Sequence, residues 1–449
     1  MRKNCTLLQT TLLAFLLFLG FETAKAETFE VDGIYYSILS DESEGTIGTV
    51  EVVIRGGGEG YAGDIILPET VNIAGKSYAV TSIAGSAFSR CNELTSVVIP
   101  NSITTIGSYC FEESPKLTTI IIPNSVTTIK RRAFNNSVGL TSITIPSSVT
   151  SIGDFLFYGC NALTSIVVEE GNTVYDSREN CNAIIETETG QLIAGCQSTV
   201  IPNSVTGIGM GAFSKQQGIT NVTIPNSVMS IGQSAFSQCS NLTSVSIPNS
   251  VTTIERCAFE LCGFSNITIP NSVTKFGHRA FGECSNLKTL YCYANWFLPG
   301  VSLFPNTPVE KATLYVPYHQ IELYKADREW GKFGTILPIT HKVTYMVDGE
   351  EYATDSVGYG APITPMENPT KEGYTFSGWN EIPGIMPEHD VVVTGSFKSS
   401  GIEEVTTDTR VDVYNLQGIK VQEQVLVTDL EKILPQGVYI VKGKKLVVK

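Results

Sequence analysis

Leu94-Thr-Ser-Val97-Val-Ile99-Pro100-Asn-Ser-Ile103-Thr-Thr-Ile106-Gly107-Ser-Tyr-Cys-Phe111 reads as one turn of a coil rather than a piece of a globular core. Its middle phrase, Ile-Pro-Asn-Ser, stands at 99–102 and returns at 122–125, 201–204, 224–227, 247–250 and 269–272, with Ile-Pro-Ser-Ser at 145–148. The prolines stand at positions 100, 123, 146, 202, 225, 248 and 270, in successive steps of 23, 23, 56, 23, 23 and 22. A fixed period of this length marks a stacked solenoid, in which each repeat contacts only its neighbours. A chain of 449 residues is too long for one ordinary core, and a solenoid escapes that limit.

Each unit begins with Leu-x-x-Leu-x-Leu spacing, as in Leu94/Val97/Ile99, Leu117/Ile120/Ile122, Leu140/Ile143/Ile145, Leu163/Ile166/Val168, Ile219/Val222/Ile224, Leu242/Val245/Ile247 and Phe264/Ile267/Ile269. The alternating end of that motif predicts a short strand whose inward residues stack on their counterparts about 4.8 Å away. Proline ends the strand because it has no N–H for the ladder. A second extended piece follows, with Val or Ile at 103, 126, 149, 205, 228, 251 and 273, and then a turn at Gly107, Gly153, Gly209, Gly232 and Gly277; Lys130 and Glu255 replace that glycine in two units. Ala-Phe pairs close the unit, and Phe88, Phe134, Phe213, Phe236, Phe259 and Phe281 are expected to line up as an aromatic spine along the outer side of the coil, packed as part of its core. The fold class is therefore mainly β: a leucine-rich repeat solenoid with rungs that repeat every 23 positions, followed by two small β modules.

The strand residues left pointing outward are Ser96, Thr119, Ser142, Thr144, Ser165, Asn221, Thr223, Ser244, Ser246, Asn266 and Thr268, together with a few apolar side chains at Val98, Ile121 and Val167. They make an uncharged face of hydroxyls and amides, either a recognition surface or the ordinary solvent side of a sheet. Between Pro146 and Pro202 the step lengthens from 23 to 56, so one repeat is followed by inserted chain. The Glu188-Thr189-Gly190 turn before Gln191-Leu-Ile predicts a hairpin projecting from the solenoid, within an insertion at about 169–199. Asp176, Arg178 and Glu179 form its charged cluster, a salt-bridge knot or a ligand site.

Positions 1–26 have the layout of a signal peptide: Arg2 and Lys3, an apolar run from Leu7 to Phe21, and the small-x-small site Ala24-Lys25-Ala26. Residues 27–76 are expected to form an N-terminal β cap, 77–295 the solenoid, 296–340 a C-terminal cap with a short helix between Tyr318 and Trp330, 341–398 a β module, and 399–449 a linker and terminal β domain. No later segment is apolar for ~20 residues, so no transmembrane helix is expected. The formal net charge of −14 argues against nucleic acid and anionic membrane surfaces as partners.

Five cysteines, Cys91, Cys160, Cys239, Cys262 and Cys284, share one column of the repeat with Ser114 and Ser137. A column that accepts Cys or Ser asks for a small residue, and buried thiols are expected there. Cys181 and Cys196 lie outside it, within the insertion, and are the candidates for a disulfide, with free thiols as the alternative. No Cys-x-x-Cys pair or zinc spacing occurs, and the four histidines share no local motif. No Gly-x-Ser-x-Gly, His-Glu-x-x-His or phosphate loop is present either, so neither a cofactor nor enzyme activity is expected.

The unit Ile-Pro-Asn-Ser-Val-Thr-x-Ile-Gly-x-x-Ala-Phe-x-x-Cys-x-x-Leu-Thr-Ser-Ile, over roughly residues 60–320, resembles the BspA-like leucine-rich repeat proteins of Bacteroidetes. Residues 341–398 resemble the Listeria–Bacteroides repeat, a β-grasp-like module, through Gly373-Tyr-Thr-Phe-Ser-Gly-Trp379 and Met386-Pro-Glu-His-Asp390. The tail is similar to type IX secretion C-terminal sorting domains through Val413-Tyr-Asn-Leu-Gln-Gly418 and Leu434-Pro-Gln-Gly-Val-Tyr-Ile-Val441, though it is short for that family. The resemblance implies a secreted or cell-surface protein, expected to be monomeric, that adheres to a host or bacterial surface protein or glycan. A structural stalk is the alternative, and a hydrolase accessory subunit a remote one.

Overall fold

The computed structural model of the chain describes residues 27–41, 46–55, 60–294, 302–399 and 410–448. The expected signal peptide and the 400–409 linker lie outside the described residues. The chain divides into two compact units, one of residues up to Tyr315 with Leu323–Ile336, the other of Val316–Glu322 with residues from Leu337 onward.

The first unit is a stack of parallel rungs. Strand Ser142–Ile145 pairs with Ser165–Val168 in the register of the repeat, Ser142 opposite Ser165 and Ile145 opposite Val168. Ile143, Ile145, Ile166 and Val168 point inward and are buried, as the alternation requires. After each strand the proline carbonyl accepts the N–H of the residue three on, at 3.1 Å for Ile103, Val126, Val228 and Val251. The chain then runs into two-residue strands such as Thr105–Ile106, Thr128–Ile129 and Ser151–Ile152, paired in parallel into a second ladder. The serine of the phrase also acts between rungs. Ser125, Ser148, Ser250 and Ser272 donate to the carbonyls of Ile103, Val126, Val228 and Val251 at 2.7–2.8 Å. Gly153 marks the next corner because an added Cβ would lie 2.2 Å from the backbone N of Arg131 in the rung before.

The phenylalanines form the expected aromatic spine, and it is core packing. Phe88, Phe111, Phe134, Phe213, Phe236 and Phe259 are fully buried, and successive rings lie nearly parallel with centroids 5.1–5.7 Å apart within each half of the array. The inward turn comes from an unusual backbone. Two residues before and two after the phenylalanine sit at positive φ: Ser86 and Arg90, Tyr109 and Glu113, Arg132 and Asn136, Ser234 and Gln238, Cys257 and Leu261, Arg279 and Glu283. Each such non-glycine residue costs roughly 1–2 kcal/mol. The conformation places N–H groups in line with the next rung, where Phe111 donates to Ala133 at 2.8 Å and Phe236 to Ala258 at 2.8 Å.

The Cys/Ser column has a second requirement besides size. Every member after Cys91 donates to the carbonyl of the phenylalanine one rung earlier: Ser114 to Phe88 at 2.8 Å, Ser137 to Phe111 at 2.5 Å, Cys160 to Phe134 at 2.9 Å, Cys239 to Phe213 at 3.0 Å, Cys262 to Phe236 at 3.1 Å and Cys284 to Phe259 at 3.2 Å. Thr307 continues the column to Phe281 at 2.7 Å, so the rung pattern runs on past residue 295. A buried carbonyl without a donor is costly, which explains why Cys, Ser and Thr interchange here and Ala does not appear.

The insertion does not project. Strands Ala183–Glu186 and Gln191–Gly195 form the expected antiparallel hairpin, but the second pairs in parallel with Gly207–Ile208 and heads the second ladder of the later rungs. Ala183, Ile184, Ile185, Leu192 and Ala194 are buried, so the apolar content of the hairpin holds it down. Gly195 donates to Ala212 at 2.9 Å, a bond that an upstream phenylalanine makes elsewhere. At the phenylalanine corner the chain closes over the insertion: Gln216 takes the Cys/Ser position and reaches Phe157 O at 2.9 Å, and Gly159 donates to Ser214 at 3.2 Å.

In the second unit, strands Thr340–Val347 and Glu350–Gly358 form a hairpin around Asp348-Gly349, and Val391–Gly395 lies parallel to the first of them. The core there is Val343, Tyr345, Ile363, Met386, Val391 and Val393. Trp379 packs against it while donating Nε1 to Met366 O at 3.0 Å; Phe376 is half-buried beside the indole rather than central. The tail forms a four-stranded antiparallel sheet in the order Lys420–Leu426, Arg410–Tyr414, Gly437–Val441, Lys444–Val448 over Val411, Val413, Leu430 and Leu434.

Two outcomes follow from these rungs. Cys239→Ala strips Phe213 O of its donor and should lower stability by about 1–3 kcal/mol in denaturant titration, whereas Cys239→Ser should lose less. Burial also pushes the Cys160, Cys239 and Cys284 thiols up to about 12. Unfolded thiols ionise near about 8.5, so this stabilisation is complete below that pH and is lost as pH rises toward 12. A series of melting curves should fall over that range, and less steeply in the triple Cys→Ser variant. Separately, a Cβ on Gly195 would lie 2.2 Å from the Phe213 ring. Gly195→Ala should therefore speed amide exchange across Gln191–Gly195 at a cost of about 1–3 kcal/mol, leaving exchange around Phe259 unchanged.

Candidate interaction face

The outward residues of the broad-face strands form two rows. The first contains Ser96, Thr119, Ser142 and Ser165, then Asn221, Ser244 and Asn266; Thr144, Thr223, Ser246 and Thr268 belong to the second. All eleven side chains are exposed or half-exposed, and the strand pairings set Ser142 opposite Ser165, Asn221 opposite Ser244 and Thr223 opposite Ser246. Ser96 is partly occupied, since its hydroxyl and that of Thr95 both donate to Asp64 at 2.7 Å. Those two bonds hold the Asp64 carboxyl below its usual range.

The second row holds what the choice of hydroxyls and amides passed over. Ile66 pairs with Val98, Val98 bridges to Ile121, and Thr144 pairs with Val167. These aliphatic side chains are strongly exposed: Ile66 71 %, Val98 54 %, Ile121 84 % and Val167 45 %. The first half of the face is therefore an aliphatic stripe bordered by hydroxyls. In the second half the same row runs Thr223, Ser246, Thr268 and Tyr291, and ends on Tyr315, whose ring stacks on Tyr291 at 4.6 Å. The signal for the stripe was present in the outward positions 98, 121 and 167; Tyr291 and Tyr315 lie where the phrase itself has lapsed.

Among the described residues the broad-face strands fall into four sheets, and one of the breaks between them lies at the insertion. Ser165–Val168 pairs with Ser142–Ile145 on one side, Asn221–Thr223 pairs with Ser244–Ser246 on the other, and the two pairs belong to separate sheets. At the break lies a cavity of about 320 Å³ lined by Ile219, Val222, Thr223 and Phe213 on one wall and by Cys196, Thr199 and Val200 among the insertion residues. Its rim carries Val200, 75 % exposed.

Asp176 and Arg178 form a two-pronged ion pair, Nε to Oδ1 at 2.7 Å and a terminal N–H to Oδ2 at 2.5 Å, and Thr187 donates to the same carboxylate at 2.9 Å. Burial alone would raise the Asp176 carboxyl, but the Arg178 hydrogen bonds outweigh it and hold it below the usual range. Glu179 stands apart, exposed and at a φ of 58°. The arrangement is a clasp within the insertion; its donors and acceptors already face each other. Cys181 and Cys196 are not joined in a disulfide. Both are buried thiols, Cys196 donating to Asn182 O at 3.5 Å, and burial raises the pKa of each. Among the described residues no group of His, Cys, Asp or Glu is arranged to hold a metal ion, and no helix is long and apolar enough to cross a membrane.

Residues 341–385 match the Listeria–Bacteroides repeat domain. No curated protein matches the chain. Among solved structures, the pneumococcal vaccine antigen PcpA is similar at a TM-score of 0.53 and 21 % identity, over 70 % of this chain and 98 % of that one. A leucine-rich cell surface protein of Faecalibacterium prausnitzii matches at 20 % identity and a TM-score of 0.41 over 70 % and 95 % of the two chains. A leucine-rich repeat protein of Bacteroides ovatus does so at 23 % and 0.41 over 64 % and 70 %. PcpA shares the fold. Residues 71–189 and 206–324, more than half of the sequence, match the BspA-type leucine-rich repeat region in six copies, and by that match the chain belongs to the BspA-type leucine-rich repeat family.

Proposed function

We propose that this chain is an exported surface protein that adheres to a partner protein through the broad face of its solenoid. The observation that carries the reading is the stripe Ile66, Val98 and Ile121, three exposed aliphatic side chains on successive rungs, with exposed Val167 beyond Thr144, on a face otherwise made of hydroxyls and amides. Contiguous apolar surface rimmed by polar groups is the character of protein-binding sites, and the absence of charge among the predicted face residues lowers the desolvation penalty. A glycan would be better served by the hydroxyl rows alone, so the stripe favours protein. The cavity beside Val222 offers a place for one anchoring side chain. Export rests on the basic start, the apolar run and Ala24-Lys25-Ala26; the C-terminal sheet, with its likeness to sorting domains, would serve delivery.

The test is capture by the immobilised mature chain from host matrix proteins, mucins and whole bacteria. Val98→Lys with Ile121→Lys should weaken capture of the protein partner at least tenfold, with an unchanged melting temperature. Ser142, Ser165 and Ser244→Lys should weaken it too. Capture that survives both sets of changes would move the site off this face, and no capture of any protein would leave the chain a structural stalk.

A further inference from the structure

Near the middle of the solenoid a cluster of cations is held on aromatic rings. Arg132 lies 4.9 Å from the centroids of both Phe155 and Tyr158 and 5.8 Å from that of Tyr109. Arg131 lies 5.2 Å from Phe155, and Lys215 lies 5.4 Å from Tyr158 while donating to Asn136 Oδ1 at 3.0 Å. The cluster is assembled by the break in the period. Phe155 and Tyr158 come from the last rung before the insertion and Lys215 from the first rung after it, brought together where Gly159 donates to Ser214. Gly211 makes room for the Phe155 ring, which an added Cβ would meet at 2.2 Å.

On the same corner Arg90 pairs with Glu113 at 3.2 Å, and Arg279 with Glu260 at 2.5 Å and Glu283 at 2.6 Å, whereas Arg256, in the position of Arg131, has no ion pair among the described residues and also no ring beneath it. Arg131, Arg132 and Lys215 take part in none of the ion pairs among the described residues, in a chain whose net charge is −14. Lys130, next in line, does have an acid in its field, Glu51. The Nε of Arg132 is buried and has no hydrogen-bond acceptor. That Nε is out of a ligand's reach, so it is the fork of terminal N–H groups of Arg132, held against the rings, that is offered to an oxyanion.

We propose that Arg131, Arg132 and Lys215 form a binding site for the acidic group, sulfate ester or carboxylate, of a glycan. Stacking fixes the donors before the ligand arrives, which lowers the ordering cost of binding. The side chains of Asn136 and Asn161 use only Oδ1 in their hydrogen bonds, which leaves their NH2 groups to meet sugar hydroxyls, where an acidic peptide would also need an apolar anchor. This site shares no residue with the aliphatic stripe and stands independently of the protein-binding reading.

The experiment is titration of the full mature chain at physiological salt with dextran sulfate, sialyllactose, unsulfated dextran and poly-glutamate. Binding of dextran sulfate assigns the sulfate ester, binding of sialyllactose the carboxylate, and either supports the proposal if unsulfated dextran does not bind. Arg131→Gln with Lys215→Gln should weaken that binding at least tenfold. Arg132→Lys keeps the charge but not the fork and should weaken it several-fold, covering the case in which the double variant folds poorly. Val98→Lys with Ile121→Lys should leave it unchanged. Binding of neither acidic glycan, poly-glutamate binding as well as they do, or affinity indifferent to these three cations would overturn the proposal.

Discussion

Every rung buries the carbonyl of its phenylalanine, and that oxygen has to find a donor in the next rung. The requirement orders much of the first unit. It places a small hydroxyl or thiol three residues after each phenylalanine, sets the stacking distance, and ties each rung to its successor by a bond that neither can make alone. The positive-φ residues on either side are tolerated because their strain, roughly 1–2 kcal/mol each, is offset by backbone hydrogen bonds that only this conformation aligns. Stability in such an array is close to a sum of neighbour terms, so a single defective column position is felt locally and then passed along the stack.

The insertion shows the same constraint under stress. With the hairpin in place, the Phe157 carbonyl would have lost its small donor, and Gln216 supplies one on a longer arm. The Ala212 carbonyl would have lost the phenylalanine N–H, and Gly195 supplies another. The interruption is thus absorbed at the aromatic corner, while on the broad face a cavity opens beside Val222.

The period, the strand positions, the inward leucines and isoleucines and the family were legible in the sequence because each is a repeated local choice. So were the outward positions of Ser142 and Ser244. What escaped depended on partners one rung away. The cysteine column reads as small and not as donating because its acceptor, a backbone carbonyl, has no residue type. The phenylalanines read as core, but the two left-handed residues that flank each of them carry no repeated residue type and so leave no mark in the sequence. The hairpin at 183–195 reads as projecting because its pairing with Gly207–Ile208 is parallel and non-local. The outward positions of Val98, Ile121 and Val167 were legible, but that Ile66 pairs with Val98 and Val98 with Ile121 is visible only in the register.

The left-handed position two residues before each phenylalanine is filled in turn by Ser86, Tyr109, Arg132, Phe155, Gly211, Ser234, Cys257 and Arg279. The variety is wide for a repeating unit. Because neighbouring rungs impose the backbone there, the local preference of the side chain has little say, and almost any residue can be installed without disturbing the coil. That edge is a place where selection can rewrite chemistry one rung at a time, trying a charge here and a ring there, while the architecture beneath it stays indifferent.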